Sequence, residues 1–215
     1  MERILDLYEQ DYDSLYPVLC FDERPCFLIG NTIEGLAMKK GSVAKENYAY
    51  SKHGSCCALA ALEPLTGKRI VHVRKQRRKE EFALLMYEIY KKYSTAKRIQ
   101  IVLDNLNTHH YGAFYEFFTA EVARAMTEKI EFIYTPKSAS WLNMIEIEFS
   151  ALARQCLNRR IPCQNELEKQ VLSFMKQREK QQIKINWQFT TNQARKKLNT
   201  SYSNVFLANK KYTKI

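Results

Sequence analysis

Long apolar runs are missing from this chain of 215 residues. Nowhere do ~18 apolar residues follow one another, which excludes a helix that spans a bilayer. The amino terminus, MERILDLYEQDYD, carries acids where a secretory signal has its apolar stretch. Paired cysteines are missing too. Cys20, Cys26, Cys56, Cys57, Cys156 and Cys163 contain no CxxC and no zinc-ligand rhythm. They read as buried free thiols of a protein kept in a reducing, cytoplasmic setting. There is no internal repeat and no low-complexity segment, so a repeat array is excluded as well.

Acids are scarce in one region only. Residues 1–150 hold 20 Lys and Arg against 20 Asp and Glu, whereas residues 151–215 hold 14 against three, Glu166, Glu168 and Glu179. The net charge of +11 therefore lies wholly in the last 65 residues. A neutral body with a one-sided basic segment suits a polyanion, most simply nucleic acid. A basic solvated face without a partner has the same composition.

The periodicity of what is present places the elements. The run YPVLCFDERP (Tyr16 to Pro25) reads as a first strand that ends at Asp22 and is closed by Pro25; a long Gly-, Lys- and Asn-rich loop follows. SCCALAALEPL and KRIVHVRKQ, separated by a turn with Pro64 and Gly67, read as strands two and three. In KEEFALLMYEIYKKYS the period changes to that of a helix, with Phe82, Leu85, Met86 and Ile89 on one side. RIQIVLDNLNTHH is then a fourth strand running into Asp104. AFYEFFTAEVARAMTEK reads as one helix, IEFIYTP as a fifth strand stopped by Pro136, and SWLNMIEIEFSALARQCLNRRIP as a helix. In that last helix Ile145, Phe149, Leu152 and Cys156 form an apolar stripe. Another helix runs from about Asn165 to Gln182, and a short one from Thr191 to Leu198 precedes a fraying tail. Three successive strands favour an antiparallel meander, and two more reached through helices favour parallel additions. This is the order of the ribonuclease H-like fold: an α/β, five-stranded mixed sheet flanked by helices. Residues 1–162 would form that domain, and 163–215 a basic helical extension packing on it or trailing from it.

Three acids stand out by position. Asp22 and Asp104 end strands that would be parallel neighbours, so both emerge at one sheet edge, where open α/β sheets place their ligands. Glu146 lies in the first turns of the helix after strand five and reaches the same spot. The helical wheel does not separate it from Glu148, since each flanks the apolar stripe. Glu23, beside Asp22, points to the opposite face by strand alternation. Clustered carboxylates repel unless a cation neutralises them. Hard oxygen ligands suit Mg²⁺ or Mn²⁺, and two ions about 3.5–4 Å apart clamp the attacking and leaving oxygens of a phosphoryl transfer. Each acid alone is as well explained by a turn, a cap or a solvated surface.

The segments CFDERP, IVLDNLNTHH and YTPKSASWLNMIEIEFSALARQCLNRRIP together resemble the catalytic domain of DDE transposases. Within these, they are similar to mariner-like bacterial insertion sequences of the type called insertion sequence six-thirty. The resemblance runs from about Pro17 through INWQFTTNQARKKL, and SWLNMIEIEFS is its most specific part. It implies that Asp22, Asp104 and Glu146 are the catalytic, metal-binding triad, holding two Mg²⁺ or Mn²⁺ ions. It implies cleavage at transposon ends and attack of the freed 3′-hydroxyl on target DNA, with a homodimer in the active complex. Asn105, Asn107, His109 and Asn143 become candidates for shaping the site, and Lys137, Arg154, Arg159 and Arg160 for contacting DNA. His53, His72 and His110 read as structural or loop residues. RKQRRKEE, before the first long helix, reads equally as a phosphate contact or a solvated loop, and Trp141 as packed on the sheet. About 16 residues precede the first strand. The helix-turn-helix region of such transposases is therefore expected to be missing here or carried by a separate polypeptide. A structure-directed nuclease of the same fold, or a non-catalytic DNA-binding derivative, would carry the same motifs.

Overall fold

The sheet is built in the order the hydrophobic pattern dictates. The computed structural model describes residues 1–45 and 47–209, the last four by backbone alone. Strands β1 (Val18–Asn31), β2 (Tyr50–Glu63) and β3 (Lys68–Arg74) form the antiparallel meander. The later strands β4 (Ile99–Leu103) and β5 (Ile130–Tyr134) add in parallel, giving the order β3-β2-β1-β4-β5. Between them lie helices α2 (Lys79–Lys92), α3 (Gly112–Phe117) and α4 (Ala120–Lys129). These cover one sheet face, burying Phe82, Leu85, Met86, Ile89, Phe114 and Met126 against the odd-numbered positions Leu19 and Phe21 of β1. The other face carries α1 (Glu2–Tyr8), α5 (Ile145–Gln155), α6 (Gln164–Lys180) and α7 (Thr191–Lys197). Ile4, Leu5, Phe149, Leu152, Val171 and Ala194 pack there against Cys20, Val102 and Ile133. Each large apolar side chain buried in these layers contributes about 1.5–3 kcal/mol.

Four features depart from the sequence reading. Strand β1 does not close at Pro25 but continues to Asn31. Beyond Cys20 it has β2 alone beside it, since its pairing with β4 covers only Val18 to Cys20. A proline is tolerated on such a one-sided strand, because its missing N–H need not break a ladder. The helix expected over AFYEFFTAEVARAMTEK is two, parted at Phe118–Thr119, where both residues are extended. The segment before α5 is a short 3-10 turn (Ser140–Leu142), not part of one continuous helix. The tail does not fray at Leu198: helix α8 spans Asn199–Asn209. Of the six cysteines, five are buried and Cys163 is exposed.

The amino and carboxyl ends meet. Helix α1 packs beside α7, where Glu2 accepts two hydrogen bonds from Arg195 at 2.8 Å and one from the Tyr202 hydroxyl. Thr191 donates to Asp6 and Glu9. The basic segment therefore begins on the same hydrophobic layer as the sheet, with α6 lying over β3. No helix among the described residues is long and apolar enough to cross a membrane.

Candidate active site

The register of the central strands brings two acids side by side. Cys20 pairs with Val102 across β1 and β4, and both side chains face the α5 layer. Two residues on, alternation returns the chain to that same face. Those residues are Asp22 and Asp104. They stand where β4 ends and β1 runs on without it, so the two strands part at this point. Crevices at the carboxyl ends of parallel strands are where α/β sheets hold their ligands.

Asn143 brings in the third acid. It is buried, and its amide donates to the Phe21 carbonyl at 2.7 Å, one residue before Asp22. Its own carbonyl accepts from the Glu146 N–H at 3.1 Å. The amide thus fastens the start of α5 to β1 and hangs Glu146 over the crevice. The two glutamates that the helical wheel left equivalent part company here. Glu146 is exposed, while Glu148 is wholly buried on another side of α5 and takes paired hydrogen bonds from Arg69 and from Arg178.

The electrostatics agree with this clustering. Asp22 is raised to about 6, chiefly by burial and further by the charges of Asp104 and Glu146, against a lowering hydrogen bond from the Glu23 N–H. An acid pushed this way is relieved by a cation among the carboxylates. The donor set is all oxygen, which fits a hard divalent ion. Among the described residues no three His, Cys, Asp or Glu side chains stand together closely enough to hold a metal ion as they are placed.

Behind Asp104 lies a network that sequence reasoning assembled only in part. His109 is fully buried; its Nδ1 lies 2.6 Å from Asp104 Oδ1 and its Nε2 3.2 Å from Glu23 Oε1. Its ring stacks on Phe82 at 4.8 Å. Burial disfavours the imidazolium, but the hydrogen bonds and charges of Asp104 and Glu23 outweigh it and raise the pKa to about 9. A protonated His109 donates to both acids and holds Asp104 by one oxygen. Glu23 was missed as a site residue. Its signal was present: an acid on a buried strand face needs a partner. Arg77, from the basic linker before α2, stands 3.8 Å from Glu23 Oε2 and is more than half exposed. With Asn105 and Asn107 it lines a concavity of about 300 Å³ beside the network.

The remaining candidates are dispersed. Glu146, Ser150 and Arg154 form one exposed stripe of α5. Arg154 therefore sits about 12 Å along the helix from the third acid. Lys137 is exposed in the connection from β5 to the 3-10 turn, and Arg159 is exposed just past α5. Arg160 is engaged with the loop that follows β1: it donates to the carbonyls of Asn47 and Ala49 and to the Asn31 side chain. His53 bonds Ser51 and the Pro162 carbonyl, and His72 bonds Glu88. Trp141 does not pack on the sheet. It is 45% exposed, stacks on Trp187 and meets Phe189 edge-on, because the carboxyl-terminal segment passes over it.

A strand-end aspartate pair, an acid on the following helix and an asparagine fastening it form one ordered set along the sequence. The family model for DDE superfamily endonucleases matches residues 17–168. The chain belongs to that family. This DDE superfamily member is similar in fold to the Mos1 mariner paired end complex with Mn, at 14% identity and a TM-score of 0.53. That match covers 85% of this chain and 55% of that one. The Mos1 transposase paired-end complex with left transposon end gives 12% and 0.53, covering 81% and 52%. A pre-cleavage Mos1 transpososome gives 13% and 0.50, covering 85% and 59%. The chain spans somewhat over half the length of these structures, and no curated protein matches it. The shared architecture is the ribonuclease H-like one, a mixed five-stranded sheet between helices.

Proposed function

We propose that this DDE superfamily member is the catalytic domain of a transposase, cutting DNA at transposon ends and joining the freed 3′-hydroxyl to target DNA. The reading rests on Asp22 and Asp104 standing where β1 and β4 part and on Asp22 being raised, chiefly by burial and further by the charges of Asp104 and Glu146. Two divalent ions, Mg²⁺ or Mn²⁺, would be held by these three acids and would supply activation of water or of a 3′-hydroxyl and neutralisation of the phosphate. The chain's own groups do the positioning. His109 fixes Asp104 with one oxygen left for the crevice, Asn143 fixes Glu146, and Arg154 and Lys137 offer phosphate contacts. Cutting and joining two ends favours a homodimer. A separate helix-turn-helix polypeptide is a candidate partner in recognising the ends.

The test is a joining assay with Mn²⁺, a duplex carrying a free 3′-hydroxyl and a supercoiled plasmid. Joined product is expected from the native chain and none from Asp22→Asn, Asp104→Asn or Glu146→Gln. Nicking without joining would reassign the domain as a structure-directed nuclease. Neither product, together with Mn²⁺ binding that Asp104→Asn does not weaken in calorimetry with DNA present, would leave only a non-catalytic DNA-binding role.

A further inference from the structure

The basic linker RKQRRKEE between β3 and α2 reaches the catalytic edge of the sheet through one side chain. Arg74 lies 3.9 Å from Glu168, and Lys79 lies 2.6 Å from Glu116. Arg77 is placed differently. Its guanidinium is 3.8 Å from Glu23 Oε2, too long for a hydrogen bond, and its side chain is 59% exposed. An ion pair of that length orients the guanidinium and leaves its N–H fork unspent. Lys75 and Arg78 nearby are exposed as well.

The concavity of about 300 Å³ that Arg77 borders is completed by Glu23, Asn105, Leu106, Asn107 and Thr108. The last four follow Asp104 directly along the chain, so the concavity adjoins the catalytic edge. It lies on the α2 side, because Glu23 points to the face opposite that of Asp22. Among the described residues, the side chains of Arg77, Asn105, Asn107 and Thr108 make no hydrogen bond within the protein. Thr108 is the sharpest case, since its hydroxyl oxygen is buried and still has no partner. A buried hydroxyl without an acceptor is costly, and a guest rich in acceptor oxygens relieves it. Glu23 does not repel such a guest as a free surface acid would: its side chain is 1% exposed and its Oε1 is engaged by His109. What the concavity offers is a guanidinium, two amides and a hydroxyl.

The structure assigns this concavity as a subsite for one phosphodiester of a DNA strand, neighbouring the phosphate on which the three acids would act. These are the donor types that phosphate takes from proteins, and the arginine fork matches its oxygens. The assignment rests on the transposase reading for its anion, DNA, and not on the acids cutting it. With Arg154 and Lys137 on the α5 side, Arg77 gives the strand a hold on the other side of the crevice.

The experiment is a fluorescence-anisotropy titration of the full chain with a short labelled duplex, in EDTA so that nothing is cut, between about 50 and 200 mM salt. Arg77→Ala should weaken binding by about two- to tenfold at the low end and lower the slope of log K against log salt by about one. Arg77→Lys should keep the slope, and Arg124→Ala, on α4, should change neither quantity. Asn107→Asp puts a negative charge at the exposed mouth; a loss of similar size is expected, which keeps the test decisive if Arg77→Ala fails to fold. In ¹H–¹⁵N spectra the side-chain amide signals of Asn105 and Asn107 should shift when the duplex is added to the native chain. Unchanged affinity and slope in a folded Arg77→Ala or Asn107→Asp, an equal loss in Arg124→Ala, or amide signals that stay in place would overturn the subsite. The joining assay judges the transposase reading separately: a native chain that joins nothing but shows these losses and shifts keeps the phosphate subsite and loses that reading.

Discussion

The acids of this protein are sorted by their partners. Glu148 is the clearest case. Burial pushes its carboxyl up, but the guanidinium groups of Arg69 and Arg178 outweigh burial and hold it below the ordinary 4.5. A carboxylate depressed in the folded state contributes stability above its unfolded value and loses it as the pH falls through the folded one. Urea melts should therefore show the midpoint falling below about pH 4.5, with the native chain losing more in that range than Glu148→Gln. At neutral pH, Glu148→Ala leaves two guanidinium groups facing each other and should cost about 3–5 kcal/mol. His109→Ala should be as damaging for a related reason, since it strands the Glu23 carboxylate in the core. Glu23→Gln is milder and acts at one remove. It loosens His109 and through it Asp104, so calorimetry should show Mn²⁺ affinity lower by roughly 10–100-fold, in line with other groups that orient metal ligands.

Among the elements, α5 matters most, because its start must be held to β1 for Glu146 to face the crevice. Asn143→Ala leaves the Phe21 carbonyl without its donor and should cost about 1–3 kcal/mol in denaturant melts. Joining activity should fall further than that loss of stability explains. The elements also mark how far the sequence could be read. β4 and β5 were legible because short, mostly apolar runs ending in Asp104 and Pro136 leave little choice. Asp22, Asp104 and Glu146 are proposed as a set through the family motif, but choosing Glu146 over Glu148 by periodicity was impossible. Both flank one stripe, and only the arginines brought in by β3 and α6 tell them apart. The extent of β1 was illegible because Pro25 normally ends a strand, and nothing local says that β4 stops short of it. The break between α3 and α4 has neither Pro nor Gly to announce it. Trp141 was misplaced because its true partners, Trp187 and Phe189, lie over forty residues on.

For the whole molecule, charge and topology work together. The +11 excess belongs to residues 151–215, while the three acids converge at the head of α5, just before that segment begins. Duplex DNA of arbitrary sequence should bind weakly and lose affinity steeply between 50 and 200 mM salt, because phosphate contacts release counterions. Replacing Arg154 or Arg159 by Ala should lower the slope of log K against log salt by about one each, uniformly across sequences.

The one-sided stretch of β1 beyond Cys20 has a further consequence, for colloidal behaviour. A strand with unpaired backbone groups along one side is a template for another molecule's strand, and long open edges invite fibrous association. Here the exposed side carries Pro25, a residue that cannot donate, while the Phe21 carbonyl is occupied by Asn143 and the Ile29 N–H by the Ile161 carbonyl. The proline that misleads a reader about where the strand ends is thus well placed to keep that strand from growing into a neighbour. Pro25→Thr should leave the melting temperature nearly unchanged and yet raise light scattering on storage at high protein concentration.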